Sequence, residues 1–465
     1  MDALSYLSRQ ICIILCIAAS VGCGFPKPAD VAECTTATDC KSPAAPFCVS
    51  GTCTGACRID DDCLGVPDAP LCQASTGICV GCLDGTSCPT DKPVCDAEQH
   101  ACRGCSADDQ CASGVCVEAD GTCAEPAQIL RVSRLGTDAG DCIQAPCASI
   151  AFALQKVTPE RSIVRIIGGS VTAPTTITIN QSVVIDADGT TTFQIPASGP
   201  TFAIQDHVSG VITLEGLSIL SNVDGGAAIT VGVGSSLRLF NASVGRSVIQ
   251  VNGALEVRRV KLTQSDVRCS SGTLTVRQSS FDNAGVTATT CQASVSQSRF
   301  VVMFRGAAVD AVGGLASIEN NVFIVSSEFA DLLRVVSNAP GAIIAFNTIV
   351  NTATVVQSPV AIICDANVKV TSNIIAYNST NPLNGESCVA HASLFDLVGV
   401  DDATGNRSAD PTTFFKDRAA GDFHLSSNSP ARGIGEANLV PIDLEGKPRP
   451  APAGSLPDVG AYEAQ

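Results

Sequence analysis

Two apolar residues on alternate positions, with a third apolar residue five positions on, recur from residue 164 to residue 375. The pattern reads Val164-Ile166…Val171, Val183-Ile185, Ile212-Leu214…Ile219, Leu237-Leu239…Val244 and Leu255-Val257…Leu262. It continues through Leu274-Val276…Phe281, Ala293-Val295…Phe300, Ala316-Ile318…Phe323, Ala342-Ile344…Ile349 and Val368-Val370…Ile375. Successive starts lie 18 to 29 residues apart. A unit of that size cannot bury its own apolar face, so the units must stack. Alternate residues share one face of a strand, which sends Thr213, Arg238, Glu256, Thr275, Ser294, Ser317 and Lys369 outward. The third apolar member then belongs to the next wall of a coil. Coils stacked about 4.8 Å apart make long parallel sheets around an apolar interior, with right-handed connections.

Two columns support this register. Asn321, Asn347 and Asn373 share one repeat position at the turn between walls, where Asn tolerates left-handed backbone and stacked amides can hydrogen-bond along the axis. Phe281, Phe300 and Phe323 share another and should stack inside. The fold class expected is all-β: a right-handed parallel β-helix (solenoid) preceded by a small disulfide-rich, loop-rich region.

That preceding region is defined by cysteine spacing. Residues 34–123 carry four modules of four: Cys34, Cys40, Cys48, Cys53; Cys57, Cys63, Cys72, Cys79; Cys82, Cys88, Cys95, Cys102; and Cys105, Cys111, Cys116, Cys123. Each module has too few large apolar residues for a core, so cross-links must supply its stability at about 2–4 kcal/mol apiece. Two disulfides are expected within each of the stretches 34–53, 57–79, 82–102 and 105–123, with three pairings open in every module. Cys79/Cys82 and Cys102/Cys105 mimic the spacing of a four-thiolate zinc site. They straddle module boundaries in a chain that reads as exported, so disulfides are preferred and no metal site is assigned. Acidic clusters such as Asp60-Asp61-Asp62 offer oxygen ligands for Ca²⁺, with a solvated acidic face as the preferred reading. Residues 124–128 read as a linker. The remaining cysteines lie close enough along the coils to pair as Cys142–Cys147, Cys269–Cys291 and Cys364–Cys388.

Export is read from the first 22 residues: Arg9, then an apolar run over 11–21 that is too short to span a bilayer and fits a signal-peptide core. Ser20-Val21-Gly22-Cys23 resembles a bacterial lipobox, with Ser20 standing where Leu is preferred. The resemblance implies lipidation at Cys23 and a tether over 23–33; Gly24, where Asp would favour the inner membrane, points to the outer membrane, with a freely secreted extracellular protein as the alternative. The net charge of −17 argues against nucleic acid as a partner. It is concentrated in residues 24–128, where 16 Asp/Glu face 5 Lys/Arg.

Three further segments carry a fold-level resemblance. Residues 131–141 with Pro146 and a helix over 149–157 look like the opening of bacterial parallel β-helix proteins of the pectin-lyase-like class. Residues 423–430 and 458–462 look like their ending, and Asn347-Thr-Ile-Val350 matches their coil phrasing. The resemblance covers 129–465 and implies an N-terminal helical cap and a C-terminal capping segment. The four-cysteine modules resemble repeats found in exported bacterial lipoproteins, where they act as spacers or adhesive units.

The class includes polysaccharide lyases and glycoside hydrolases, which need carboxylates, and for the lyases a base, together on one outward wall. The row carrying repeated charge is the fourth repeat position: Asp186, Glu215, Phe240, Arg258, Arg277, Ser296, Glu319, Ala345, Thr371. Asp186 and Glu215 are expected on adjacent coils about 5 Å apart, and Arg258 and Arg277 are neighbours. These four are the candidate catalytic residues. The reading preferred is a non-catalytic surface lipoprotein whose β-helix binds polysaccharide or a surface protein. A polysaccharide lyase or glycoside hydrolase is the alternative, and a purely structural spacer the third.

Overall fold

The computed structural model describes residues 34–40, 47–169, 175–189, 191–221, 225–303, 307–326, 332–337, 340–353, 360–379, 381–384, 388–396 and 404–465. The expected signal peptide, the tether and Cys23 lie outside these residues. Two compact units separate. Residues 34–106 with Gly121–Cys123 form one, and Ala107–Asp120 with Ala124–Gln465 form the other. The break expected at 124–128 is therefore displaced, because the middle of the fourth module packs with the coils.

In the first unit each module is a short antiparallel strand pair beside a single 3₁₀ turn: Phe47–Val49 with Thr52–Thr54, Leu71–Gln73 with Ile78–Val80, and Val94–Asp96 with Ala101–Arg103. The cysteines pair first with third and second with fourth: Cys34–Cys48 and Cys40–Cys53, Cys57–Cys72 and Cys63–Cys79, Cys82–Cys95 and Cys88–Cys102. Cys105, Cys111, Cys116 and Cys123 are disulfide-bonded as well. The acid before the second cysteine serves the backbone. Asp39 accepts the Thr35 and Thr36 amides at 2.7 and 2.9 Å, and Asp62 accepts those of Arg58 and Ile59 at 2.8 and 3.1 Å.

The second unit is a three-walled stack of parallel strands, with sheets of 12, 11 and 10 strands. One coil runs Val211–Glu215 on the first wall, Ser218–Leu220 on the second and Gly226–Val231 on the third, then returns at Ser236–Phe240. The alternation read from the sequence sets the inside: Ile212, Leu237, Leu255 and Leu274 pair in register and are buried. Phe281, Phe300 and Phe323 stack face to face with centroids 4.3 and 4.8 Å apart. Ser149 caps the helix Ile150–Leu154, which is shorter than the 149–157 expected, and its Ile150, Ala153 and Leu154 join the core. Cys142–Cys147, Cys269–Cys291 and Cys364–Cys388 are bonded.

Two details of register differ from the sequence reading. Val164 pairs with Ile185, the third position of the next coil rather than its first. A slip of two keeps the same side chains inward, so burial alone cannot reveal it. The Asn column is a ladder, yet it is not where the backbone turns left-handed. Asn321 and Asn347 each donate Nδ2 to the next Oδ1, at 3.0 and 3.1 Å. The positive φ falls one residue earlier, at Gln278, Gln297, Asn320, Phe346 and Ser372. The asparagines instead occupy a buried corner whose amides must be satisfied along the axis.

Candidate functional site

The first wall's fourth row begins one coil earlier than the sequence suggested. The two-residue slip places Arg165 beside Asp186, and Asp186 pairs with Glu215, Glu215 with Phe240, Phe240 with Arg258 and Arg258 with Arg277. The expected adjacency of the two acids and of the two arginines holds.

What changes is access. Asp186 and Glu215 are 1% and 4% exposed, not outward in water as their row position implies. The chain's own residues Ala107–Asp120 cover them. Val115 and Val117 pack with Ala124, Ile129 and Ile163 into a small apolar cluster against Val184. Around it the acids of this segment meet wall cations. Asp108 Oδ2 accepts from Arg165 at 2.5 Å, and the same guanidinium nitrogen bonds Asp186. Glu118 bonds Asn241 and pairs with Arg259, and Asp120 lies 3.9 Å from Arg238.

One guanidinium thus faces three carboxylates in a dry setting. Burial pushes Asp186 up to about 7, Arg165 opposing this and Asp108 adding to it. Burial, then the charges of Asp186 and Asp108, push Glu215 up to about 8. Glu215 Oε2 has no hydrogen-bond partner. Two covered carboxyls, one of them held by Arg165, cannot flank a glycosidic bond or bind a cation, so the pair carries no open-site chemistry as it stands.

The other end of the wall is covered too. Glu436 takes Lys369 and Thr371 at 2.5 and 3.1 Å, Phe346 is buried with Val440, and Gln297 and Asn320 donate to the carbonyls of Asp443 and Ile442 at 3.1 and 2.6 Å. Between the two covers a window stays open at the corner joining the first and second walls. A cleft of about 560 Å³ there is lined by Arg259, Lys261, Gln278, Gln297 and Arg299 with Val260, Ser279, Ser280 and Leu444. Among the described residues no carboxylate lines it. Arg258 and Arg277 lie on its first-wall side. Arg258 stands 6.0 Å from the centre of the Phe240 ring and reaches Gln278 Oε1 at 3.4 Å. Among the described residues Lys261 and Arg277 enter no ion pair.

Of the four residues singled out from sequence, then, Arg258 and Arg277 border the window while Asp186 and Glu215 are sealed. Sequence reasoning missed Arg165, Asp108 and Lys261 as neighbours of this row, while Arg299 was expected near Arg258 and Arg277. Arg165 was hidden by the register slip, and Asp108 looks like every other module acid.

The comparisons agree with this architecture. The crystal structure of pectate lyase Pel9A superposes with a TM-score of 0.50 at 16% sequence identity, covering 72% of this chain and 96% of that one. The coil stack therefore shares the parallel β-helix fold of that protein. A family of unknown function, DUF8331, matches residues 22–129. A search of curated proteins finds no match.

Proposed function

We propose that this protein binds acidic polysaccharide at the corner window without cleaving it, and that it does so at the cell surface, held by lipid on Cys23. The observation that carries the reading is the lining of the window: three cations and no carboxylate, in a chain of net charge −17. Surplus acid elsewhere leaves this window as a local attractive field, and a cleft focuses such a field. Coils about 4.8 Å apart set Arg258 beside Arg277, and Lys261 two coils from Arg299, a spacing suited to a chain of repeated negative charge. The solvated part of the wall lacks the acid pair that a hydrolase needs, which favours binding over turnover.

The test uses the whole protein on a panel of uronate and sulfated polysaccharides, scoring both binding and release of unsaturated or reducing ends. Retention on an acidic polymer without product is expected. Lys261→Glu with Arg277→Glu should weaken it about tenfold or more and flatten its salt dependence. Product release that survives purification and disappears with Glu215→Gln would overturn the non-catalytic reading in favour of a lyase or hydrolase.

A further inference from the structure

A second cleft lies away from that window, where three successive second-wall strands end. Thr348–Asn351, Ile374–Ala376 and Leu394–Phe395 stack in parallel register. At or just past their ends Asn351, Asn378 and Asp396 line a cleft of about 500 Å³, closed on the far side by Pro411, Arg418 and Ala419. That volume sits within the roughly 300–1,000 Å³ range of small-molecule sites.

Its polar groups are fixed but not used up. Asn351 is 2% exposed, and its Oδ1 accepts the Ala353 amide at 2.9 Å. Its Nδ2 donor is buried with no acceptor. A buried amide left that way is costly, and it has a reason to persist where a ligand supplies the acceptor. Asp396 is oriented by the Asn378 amide, which donates to Oδ2 at 2.7 Å. Arg418 is oriented by the Asn351 carbonyl, to which Nη2 donates at 2.7 Å. Asp396 and Arg418 sense each other's charge yet form no ion pair among the described residues. Burial pushes the Asp396 carboxyl up and the Arg418 guanidinium down, as expected for charges half withdrawn from water.

We propose that this cleft binds an uncharged polyhydroxyl ligand, a neutral sugar unit with neighbouring hydroxyls. A hydroxyl can donate to a carboxylate and accept from a guanidinium or amide at once. Asp396, Arg418 and Asn351 offer that combination around one space. An anion would meet the Asp396 charge, and an amine the Arg418 charge. Small apolar residues, Ala353, Pro411 and Ala419, complete the walls. The proposal does not rest on the basic window, which lies on different coils.

The experiment titrates the full-length protein with galactose, mannose, glucose and their disaccharides, with galacturonate and glucosamine as charged controls. Ligand-observed NMR and calorimetry provide the readout. Binding of at least one neutral sugar that the cleft variants weaken is expected, while galacturonate drawn to the basic window should bind with an affinity those variants leave unchanged. Asn351→Asp and Asp396→Asn each keep the backbone bond that orients the side chain, so folding should be retained and checked by thermal unfolding. Each should weaken binding about tenfold, the cost of one hydrogen bond to a charged or buried partner. Lys261→Glu with Arg277→Glu should weaken galacturonate binding at the window and leave neutral-sugar binding unchanged. No neutral sugar binding at millimolar concentration, neutral-sugar binding that both cleft variants retain, or galacturonate binding that the cleft variants abolish would each overturn the proposal.

Discussion

Replacing Glu215 by Gln should stabilise the coil stack at alkaline pH and leave it nearly unchanged in acid. Glu215 is 4% exposed, shares its surroundings with Asp186 and Asp108, and has one oxygen without a partner. Its pKa rises from 4.5 to about 8 on folding, so between those values the native state holds a proton that the unfolded chain has released. Stability from this group is fully present below pH 4.5 and is lost as pH rises through about 8. Each tenfold change in proton affinity is worth about 1.4 kcal/mol, so the ceiling on the loss is roughly 5 kcal/mol. Local water penetration would lower it. Asp186, raised from 3.8 to about 7, acts in the same direction. The amide mimics the protonated acid and cannot ionise. Urea unfolding with disulfides intact, followed by circular dichroism at half-unit steps from pH 4 to 9, should therefore show wild type and Glu215→Gln together near pH 4. Above pH 5 they should part, the variant becoming the more stable by up to several kcal/mol near pH 9. Curves that run parallel across the whole range would refute the burial and charge crowding assigned to Glu215.

Two other outcomes are expected. Reduction under native conditions should open the 34–106 region to protease while the coil stack stays resistant. Among the described residues the modules hold only a small apolar cluster around Phe47, so about 2–4 kcal/mol per lost disulfide exceeds what remains; equal protection before and after reduction would count against this. Cys23→Ala should move the protein from the membrane fraction to the soluble one and abolish incorporation of labelled fatty acid, and unchanged fractionation would remove the anchor from the proposed function.

The interior was legible in the sequence because it is built by repetition. Leu255, Leu274 and Ala293 recur at fixed spacing and stack in register, and the Phe281–Phe300–Phe323 column is stacked at the expected place. Spacing also named the partners among the coil cysteines. It could not choose within the modules, where cross-linking first to third and second to fourth depends on how two short strands fold over a 3₁₀ turn. Nor could it detect a slip of two at Val164, since Val183 and Ile185 are both apolar and both face inward.

The candidate site was less legible for a different reason. Position in a repeat fixes which way a side chain points, not whether anything lies over it. Asp186 and Arg277 occupy the same outward row, four strands apart, and their surroundings are opposite: one is sealed and crowded by carboxylates, the other exposed. The difference comes from contacts such as Asp108 with Arg165 and Asn241 with Glu118, which span 57 and 123 residues and have no periodic signature. The covering segment also sorts the charges. Asp108, Glu118 and Asp120 engage Arg165, Arg259 and Arg238, so the acid of the fourth module is drawn onto the early coils. The C-terminal segment then closes the wall from Gln297 onward. What remains uncovered is set by where these two segments stop, and they stop on either side of Arg277 and Lys261. The window proposed for the ligand is therefore a product of the covers, and the chain's own acids engage Arg259 there while leaving Lys261 and Arg277 unspent.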